Sequence, residues 1–294
     1  MAARPILLTG ARGLLGRELR RTLATLGPVA ARDRAALDLA DAAALRSAVR
    51  DLRPALIVNA GAYTAVDRAE SEPEAAHAVN AVAPGVLADA ARAAGTALVH
   101  FSTDYVFDGR DPGRPLREDD PPAPLGIYGR SKLAGERAVA GSGAVALVLR
   151  LSWVYAREGR NFLTTMARLA RERDELRVVA DQRGAPTWAR LIAEATAQAL
   201  ASFWRGDAAR LAEVAGLYHL AAAGETTWHG FATAIVAATP DARTQRVVPI
   251  ATSDYPVPAA RPAYSVLDSG RFARTFGLAL PPWEEGLALC LSDD

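Results

Sequence analysis

Short apolar runs along the chain alternate with longer stretches in which apolar residues recur every three or four positions. Four of these runs have the length of a buried strand: residues 5–9, 55–59, 97–101 and 144–150. The stretch after the first run places four leucines on one helical face: Leu15, Leu19, Leu23 and Leu26. Strands separated by helices pair in parallel through right-handed crossovers. The pattern therefore predicts an α/β fold built on a doubly wound parallel sheet.

The second half of the chain is less regular. Helical patterns near 161–173 and 189–204 surround a strand pattern at 176–180, and a proline-rich segment precedes a helix-rich tail. We expect residues 1–150 to form the sheet domain, which also receives segments from about 176–222. Residues 151–294 should form mainly a smaller mixed α/β lobe, with the chain crossing between the two. Because ligands of open parallel sheets bind beyond the carboxyl ends of the strands, this lobe should supply substrate contacts.

Composition and charge exclude several classes of protein. The 294 residues carry a net charge of +1 without a basic run, which does not favour binding to nucleic acid or to an anionic membrane. The single cysteine, Cys290, and four histidines without metal-ligand spacing indicate a reducing compartment and no metal site. Since the N-terminus lacks a signal-peptide pattern and no stretch reaches roughly 18 apolar residues, we expect a cytoplasmic protein.

A glycine-rich turn follows the first predicted strand directly. Gly10, Gly13 and Gly16 are spaced as GxxGxxG, and glycines between a strand and a helix let backbone amides approach a pyrophosphate. The second strand is expected to end near Asp33 and Arg34. An acidic side chain there can bind the ribose hydroxyls of NADH, whereas an arginine can meet the 2′-phosphate of NADPH. The sequence predicts a dinucleotide site and leaves the choice of cofactor open.

A tyrosine and the only lysine of the chain form the candidate catalytic pair. Tyr128 and Lys132 lie four residues apart, on one face if the segment is helical. Thr103, after the strand at 97–101, can donate to a substrate carbonyl that gains negative charge. Tyr128 would supply the proton, and Lys132 together with an oxidised nicotinamide would lower its ordinary pKa of about 10. The alternative is a chance Tyr/Lys pair on an amphipathic helix.

Asparagine is also scarce, occurring only at Asn59, Asn80 and Asn161. Asn59 leads into a small-residue stretch, residues 60–64, that is suited to lying against a dinucleotide. A structural cap is the alternative for each asparagine, and it carries more weight at Asn80 and Asn161.

Taken together, these motifs resemble the extended short-chain dehydrogenase/reductases that act on nucleotide sugars. Five longer runs are similar to the dTDP-4-dehydrorhamnose reductase family: residues 59–67, 102–107, 128–136, 152–155 and 181–187. The resemblance covers nearly the whole chain. It implies a Rossmann-type fold, NADPH or NADH as cofactor, with Mg²⁺ an added possibility, and a homodimer. The implied reaction reduces the C4 keto group of dTDP-4-dehydro-L-rhamnose to give dTDP-L-rhamnose.

The resemblance and the residue chemistry together give a set of candidate site residues. The catalytic candidates are Tyr128, Lys132 and Thr103. The cofactor candidates are Gly10, Arg12, Gly13, Leu14, Leu15, Gly16, Asp33, Arg34, Asp38, Leu39, Ala60, Ala62, Tyr63, Thr64, Ser102, Tyr128 and Lys132. The substrate candidates are Thr103, Asp104, Tyr128, Trp153 and Arg261.

Residue chemistry and the family pattern add a remark on two of these candidates and on one further position. Trp153 could instead be a core tryptophan. Arg261 is the candidate for the nucleotide diphosphate, because a guanidinium binds phosphate oxygens bidentately. The family often has asparagine where this chain has Tyr264, so substrate contacts there are open.

Related proteins with other activities share parts of this sequence pattern. Nucleotide-sugar 4,6-dehydratases resemble this chain through Ser-Thr-Asp but continue with a glutamate base, where this chain has Tyr105. Simple carbonyl reduction is therefore favoured, although the Tyr/Lys pair alone also suits a C4 epimerase. Regulatory subunits of methionine adenosyltransferase resemble the same family and give a non-enzymatic alternative. A ketoreductase for another dTDP-deoxysugar is a further one.

Overall fold

The computed structural model describes residues 4–204, 206 and 208–292. The strands are β1 (Ile6–Thr9), β2 (Val29–Arg32), β3 (Leu56–Asn59), β4 (Ala97–Thr103), β5 (Ala146–Leu151), β6 (Val154–Tyr155), β7 (Glu175–Val179), β8 (Arg183–Gly184), β9 (Thr187–Trp188), β10 (Gly216–His219), β11 (Thr226–Thr227) and β12 (Arg246–Ile250). The α-helices are α1 (Leu14–Leu23), α2 (Ala42–Leu52), α3 (Val66–Ala69), α4 (Pro73–His77), α5 (Ala83–Ala93), α6 (Ile127–Gly141), α7 (Phe162–Glu172), α8 (Ala189–Phe203), α9 (Ala209–Ala212), α10 (Trp228–Ala238), α11 (Gly270–Phe276) and α12 (Trp283–Ser292).

Six strands form one parallel sheet in the order β10-β5-β4-β3-β1-β2. The chain leaves β1 toward β2 on one side and then returns to β3 on the other. The order therefore reverses between β1 and β3, and in such sheets a ligand crevice forms at the carboxyl ends of the strands at that point. The predicted doubly wound parallel sheet is confirmed.

Helices cover both faces of this sheet. On one face α1, α8 and α11 share a core cluster with Ile6 and Leu8, and on the other α2, α5 and α6 share a core cluster with Leu7. Because both faces are buried, the strands need apolar residues at successive positions, and a short uninterrupted run is the sequence pattern that results. The predicted strand boundaries agree with the structure to within one or two residues.

The second half of the chain serves both the sheet and a smaller lobe. Helix α8 packs on α1, and β10 adds a strand to the sheet edge beside β5. In contrast, β7 pairs with β12, and α7, α10 and α12 enclose a separate cluster around Tyr155, Phe231 and Trp283. The chain therefore crosses between the sheet and the lobe. The division at residue 150 stays a prediction.

Residues at the helix ends fix where several helices start and stop. The Asp41 side chain accepts the backbone N–H of Ala44 at 2.9 Å and caps α2. Pro84 lies in the first turn of α5, and Gly95 follows that helix with φ +62°. Between α4 and α5 the chain forms one π-helical turn, Ala78–Val82, which buries Asn80. Among the described residues, no helix combines the length and apolarity needed to cross a membrane.

Candidate active site

The glycine-rich turn brings two backbones into contact at the reversal point of the sheet. Gly10 has φ +66°, and a Cβ there would lie 2.5 Å from Gly61 Cα in the loop after β3. A Cβ on Gly16 would lie 2.1 Å from the Gly10 carbonyl oxygen. Gly13 is the N-cap residue of α1, and having no side chain it cannot cap the first N–H groups of that helix. Uncapped amides at a helix N-terminus beside a narrow backbone crevice suit a bound pyrophosphate.

Charged residues surround the end of β2. Arg12 Nε lies 2.8 Å from the Asp33 carboxylate, and Arg34 lies 3.8 Å from Asp38. Both arginine side chains are more than four-fifths exposed, whereas Asp33 is one-fifth exposed. The carboxylate suited to ribose hydroxyls thus pairs with Arg12 of the glycine-rich turn, whereas Arg34, the guanidinium suited to a 2′-phosphate, pairs with Asp38.

Leu15 and Leu39 reach the crevice in different ways. Leu15 lies in the core beneath the sheet, so it can meet a ligand only through its backbone. A Cβ on Gly61 would touch the side chain of Leu39 at 2.5 Å, which places Leu39 against the loop after β3.

The loop at 60–64 is fixed by a buried asparagine. Asn80 accepts the N–H of Tyr63 at 2.8 Å and donates to its carbonyl at 2.9 Å. The same amide donates to Ser131 Oγ at 3.0 Å, on the helix that carries Tyr128 and Lys132. The Tyr63 hydroxyl donates to Glu72 at 2.5 Å. Ala60, Ala62 and Tyr63 are partly buried, and Thr64 is exposed.

A row of polar side chains crosses the sheet beside this loop. Thr9, Asn59 and His100 are register partners on β1, β3 and β4. Thr9 donates to Asn59 Oδ1 at 2.6 Å, and the Asn59 amide lies 3.1 Å from His100 Nδ1. Burial holds the pKa of His100 well below its usual value, and the charge of Lys132 acts in the same direction. His100 is therefore neutral at physiological pH. Asn59 is held by this row and caps no helix.

Tyr128 and Lys132 share one face of α6, next to the end of β4. Lys132 is 2% exposed, and its Nζ donates to the carbonyl oxygen of Phe101 at 2.6 Å. The Tyr128 ring meets the Tyr105 ring edge-to-face, with 5.7 Å between centroids. The predicted helical pairing of the two residues is thus present, on a helix packed against the strand that carries Thr103.

Burial shifts the pKa values of both residues. Burial raises the pKa of Tyr128 to about 12, against a hydrogen bond with the Thr103 side chain that lowers it. Within the chain, burial outweighs the Thr103 hydrogen bond, and the combined effect of Lys132 and an oxidised nicotinamide on this pKa stays a prediction. Burial also lowers the pKa of Lys132 to about 8, although the charge of Glu136 acts in the opposite direction. At neutral pH the phenol keeps its proton and Lys132 is mostly charged.

Thr103 and Asp104 end β4 in a dense hydrogen-bond network. Thr103 Oγ1 donates to Asp104 Oδ1 at 3.0 Å and accepts the N–H of Tyr105 at 3.2 Å. Ser152 donates to Asp104 Oδ2 at 2.9 Å. Burial raises the pKa of Asp104 to about 6, against the hydrogen bonds of Ser265, Ser152 and Thr103. These hydrogen bonds hold the Asp104 carboxyl group in one orientation beside Tyr128.

The structure places the Ser102 side chain away from the crevice. Its hydroxyl donates to Glu136 Oε1 at 2.5 Å, and the same carboxylate pairs with Arg150 at 2.7 Å. Both charged side chains are less than one-tenth exposed. Ser102 can contribute to a cofactor site only through its backbone. The sequence analysis did not identify Glu136 as the partner of Ser102 and Arg150. Its position one turn after Lys132, on the same face of α6, could have indicated that it lies near the site.

Trp153 has a strained backbone and a covered ring. Its φ is +42°, in the left-handed region that residues other than glycine rarely adopt. The indole stacks on Trp228 with 3.5 Å between ring centroids and an interplanar angle of 2°. A Cβ on Gly184 would lie 2.4 Å from the same indole. The Trp153 ring is therefore held between protein groups, with one face stacked on Trp228 and Gly184 close to the indole nitrogen.

Arg261 belongs to the segment that faces Tyr105. Its Nη2 lies 2.7 Å from Asp67 Oδ2, while its Nη1 is buried without a hydrogen-bond partner among the described residues. Tyr264, the departure from the family pattern, is 4% exposed and lies under the guanidinium of Arg183 at 5.4 Å. The structure thus places Arg261 close to the Tyr105–Tyr128 ring pair, whereas Tyr264 is part of a packed wall.

Within the part of the chain that the structure describes, no three His, Cys, Asp or Glu side chains converge on a possible metal position. The sheet order, the glycine-rich turn at the reversal point and the Tyr/Lys helix beside it define an extended short-chain dehydrogenase/reductase, an oxidoreductase of Rossmann-type fold.

Comparison with known proteins identifies the branch of this class. The profile of the RmlD substrate binding domain family matches residues 4–294, and the chain belongs to that family. The dTDP-4-dehydrorhamnose reductase of Burkholderia thailandensis is 52% identical over 294 residues, which cover 98% of each chain.

Two solved structures extend the similarity to the fold. The dTDP-4-dehydrorhamnose reductase of Clostridium acetobutylicum has a TM-score of 0.90 at 34% identity and 98% coverage of both chains. That of Bacillus anthracis, solved in complex with NADP, has a TM-score of 0.88 at 34% identity, covering 99% of this chain and 100% of the other.

Proposed function

We propose that this enzyme reduces the C4 keto group of dTDP-4-dehydro-L-rhamnose with NADPH or NADH and releases dTDP-L-rhamnose. The observation that carries the proposal is the position of Tyr128, protonated at neutral pH, beside Thr103 and next to the reversal point of the sheet. The names of the relatives support the substrate, and the NADP complex of the Bacillus anthracis relative supports the cofactor.

The residues of the crevice fit a dinucleotide. Its pyrophosphate would lie on the amides of the Gly10–Gly16 turn, and its adenosine ribose near Asp33 and Arg12. The loop at 60–64, with Ala60, Ala62, Tyr63 and Thr64, would line the other side. Lys132 would reach the nicotinamide ribose from α6. When bound, the reduced cofactor supplies the hydride for C4.

The proton for the reaction would come from Tyr128. As the C4 carbonyl takes up the hydride, its oxygen gains negative charge and accepts the phenolic proton, so that a secondary alcohol forms and a phenolate remains. A pKa of about 12 keeps the phenol protonated before the reaction. The positive charge of Lys132 would stabilise the phenolate afterwards, and the Thr103 hydroxyl would turn from Asp104 to hydrogen-bond the reacting oxygen.

Substrate positioning would come from both halves of the chain. Asp104, rigidly held by Ser152 and Thr103, can accept from a sugar hydroxyl. The edge of Trp153 closes the sugar site, and the unpartnered Nη1 of Arg261 can donate to a diphosphate oxygen.

The test is oxidation of NADPH, and separately of NADH, followed at 340 nm with dTDP-4-dehydro-L-rhamnose generated in situ. We expect turnover and a product that NMR identifies as dTDP-L-rhamnose. Cofactor binding without turnover of this keto sugar would contradict the proposal, and formation of a methionine adenosyltransferase complex would then be measured.

A second candidate is reduction of another dTDP-linked 4-keto-deoxysugar. It is favoured by Tyr264, which fills a wall of the lobe under Arg183 where the family often has the smaller asparagine. Competition between two keto sugars, measured as the ratio of their kcat/KM values, distinguishes the candidates.

A further inference from the structure

Two carboxylates after β3 connect segments that are far apart in the chain. The loop at 60–65 leaves the reversal point of the sheet and leads directly into α3, which carries Asp67, and then to Glu70. Asp67 Oδ2 accepts from Arg261 Nη2 at 2.7 Å, and its Oδ1 accepts the N–H of Ala259 at 3.3 Å. Asp67 therefore fixes both the side chain and the backbone of the segment at 259–261.

Glu70 holds the start of the catalytic helix. Helix α6 begins after Gly126, which has no side chain to cap it. Glu70 Oε1 accepts the N–H of Ile127 at 2.8 Å, and a Cβ on Gly126 would lie 2.5 Å from that oxygen. The cap of α6 thus comes from another part of the chain. Ile127 immediately precedes Tyr128, so the Glu70 contact sets the first turn of α6 on which the phenol is carried.

One nitrogen of the Arg261 guanidinium has no hydrogen-bond acceptor within the described structure. Asp67 occupies Nη2, whereas Nη1 is buried without a partner in the described structure. A buried guanidinium N–H without an acceptor is unfavourable, and an incoming anion would satisfy it. The guanidinium also lies 5.9 Å from the centre of the Tyr105 ring, which in turn contacts Tyr128. The anion site and the proton donor are therefore joined through Tyr105.

We propose that Asp67 and Glu70 are positioning residues that couple the cofactor site to the substrate site. The inference rests on the proposed function, in which the loop at 60–64 lines the cofactor and Arg261 receives the diphosphate. A cofactor that contacts this loop acts through it on residues 66–70, and through them on Arg261 and the start of α6. Since coupling between two binding sites is reciprocal, dTDP must strengthen cofactor binding by the same factor.

The test measures the Kd of dTDP by titration calorimetry, with and without saturating NADPH. Because dTDP has no keto group, nothing turns over. For the wild-type protein we expect dTDP to bind at least about fivefold more tightly with NADPH present. Asp67→Asn should reduce this ratio below about twofold while NADPH alone binds with unchanged affinity. Asp67→Glu, which keeps the charge, should restore part of the ratio.

Glu70→Gln tests the second contact through kinetics. A neutral amide oxygen caps α6 more weakly than a carboxylate, so kcat should fall about fivefold while the KM for cofactor is unchanged. Glu74→Gln, an exposed carboxylate on the neighbouring α4, is the matched control and should leave both the coupling ratio and kcat at wild-type values.

The outcomes separate this inference from the proposed function. Absence of dTDP binding to the wild-type protein would remove the proposed substrate and the coupling together. Binding of dTDP with a wild-type ratio of one would overturn the coupling alone. An unchanged ratio in Asp67→Asn would do the same, and an unchanged kcat in Glu70→Gln would remove Glu70 from the role.

Discussion

Replacement of Lys132 by methionine should stabilise the fold while it removes activity. Lys132 is 2% exposed, and burial lowers its pKa from 10.5 to about 8. At pH 7 the folded protein therefore holds a charge that its surroundings disfavour. Methionine has a similar length and no charge, so it fills the same space without that cost.

The size of the effect follows from the two pKa values. The difference between 10.5 and about 8 corresponds to about 3 kcal/mol of destabilisation at pH 7. Loss of the hydrogen bond from Nζ to the Phe101 carbonyl offsets about 1 kcal/mol of the gain. Lys132→Met should therefore raise the free energy of unfolding by about 2 kcal/mol at pH 7.

The sign of the pH dependence is also fixed. Below pH 8 the lysine is charged in both the folded and the unfolded chain, and the full cost is present. Between about pH 8 and 10.5 the folded protein loses the proton while the unfolded chain keeps it, so wild-type stability rises relative to the variant. The advantage of Lys132→Met should shrink over this range.

Urea denaturation of both proteins at pH 7 and at pH 10 measures this difference. Arg137→Met, an exposed position on the same helix, is the control and should change stability by less than about 0.5 kcal/mol at either pH. A variant less stable than wild type at pH 7, or a gain that does not diminish at pH 10, would refute the reasoning.

Three further predictions concern the site and its support. Tyr128→Phe should lower kcat by about 10²-fold with unchanged cofactor affinity, because only the proton donor is removed; near-normal turnover in a steady-state assay would exclude Tyr128 from the role. Gly16→Ala should cost about 1–3 kcal/mol in urea denaturation and weaken NADPH binding in a fluorescence titration, whereas Gly141→Ala, with open space around it, should do neither. Glu136→Gln should cost about 3 kcal/mol because Arg150 keeps a buried charge without its counter-charge, and equal stability of variant and wild type would contradict this.

The fold was largely readable from the sequence because its signals are local. An apolar run such as residues 5–9 has the pattern of a strand buried on both faces, and the leucines after it mark the helix that covers one face. Where the elements of the second half pack was harder to predict. Helix α8 and β10 return to the sheet while β7 joins β12, and such long-range pairings depend on packing that no local pattern encodes.

The sequence predicted some residues of the candidate site better than others. Spacing alone placed Tyr128 and Lys132 on one helical face. It did not reveal that Ser102 turns toward Glu136, or that Trp153 stacks on Trp228 and packs against Gly184. These arrangements depend on which side chains the tertiary fold brings within hydrogen-bond or van der Waals distance.

The sequence by itself determined the class of sheet, the glycine-rich turn and the Tyr/Lys pair, because each depends on residues within a few positions of one another. The tertiary structure alone decided the electrostatics of the site. Burial of Tyr128 and Lys132 between α6 and β4 shifts both pKa values, and the cost of removing a charge from water depends on the surroundings in three dimensions. It also decided that Asp67 and Glu70 reach Arg261 and Ile127 across more than fifty positions of the chain.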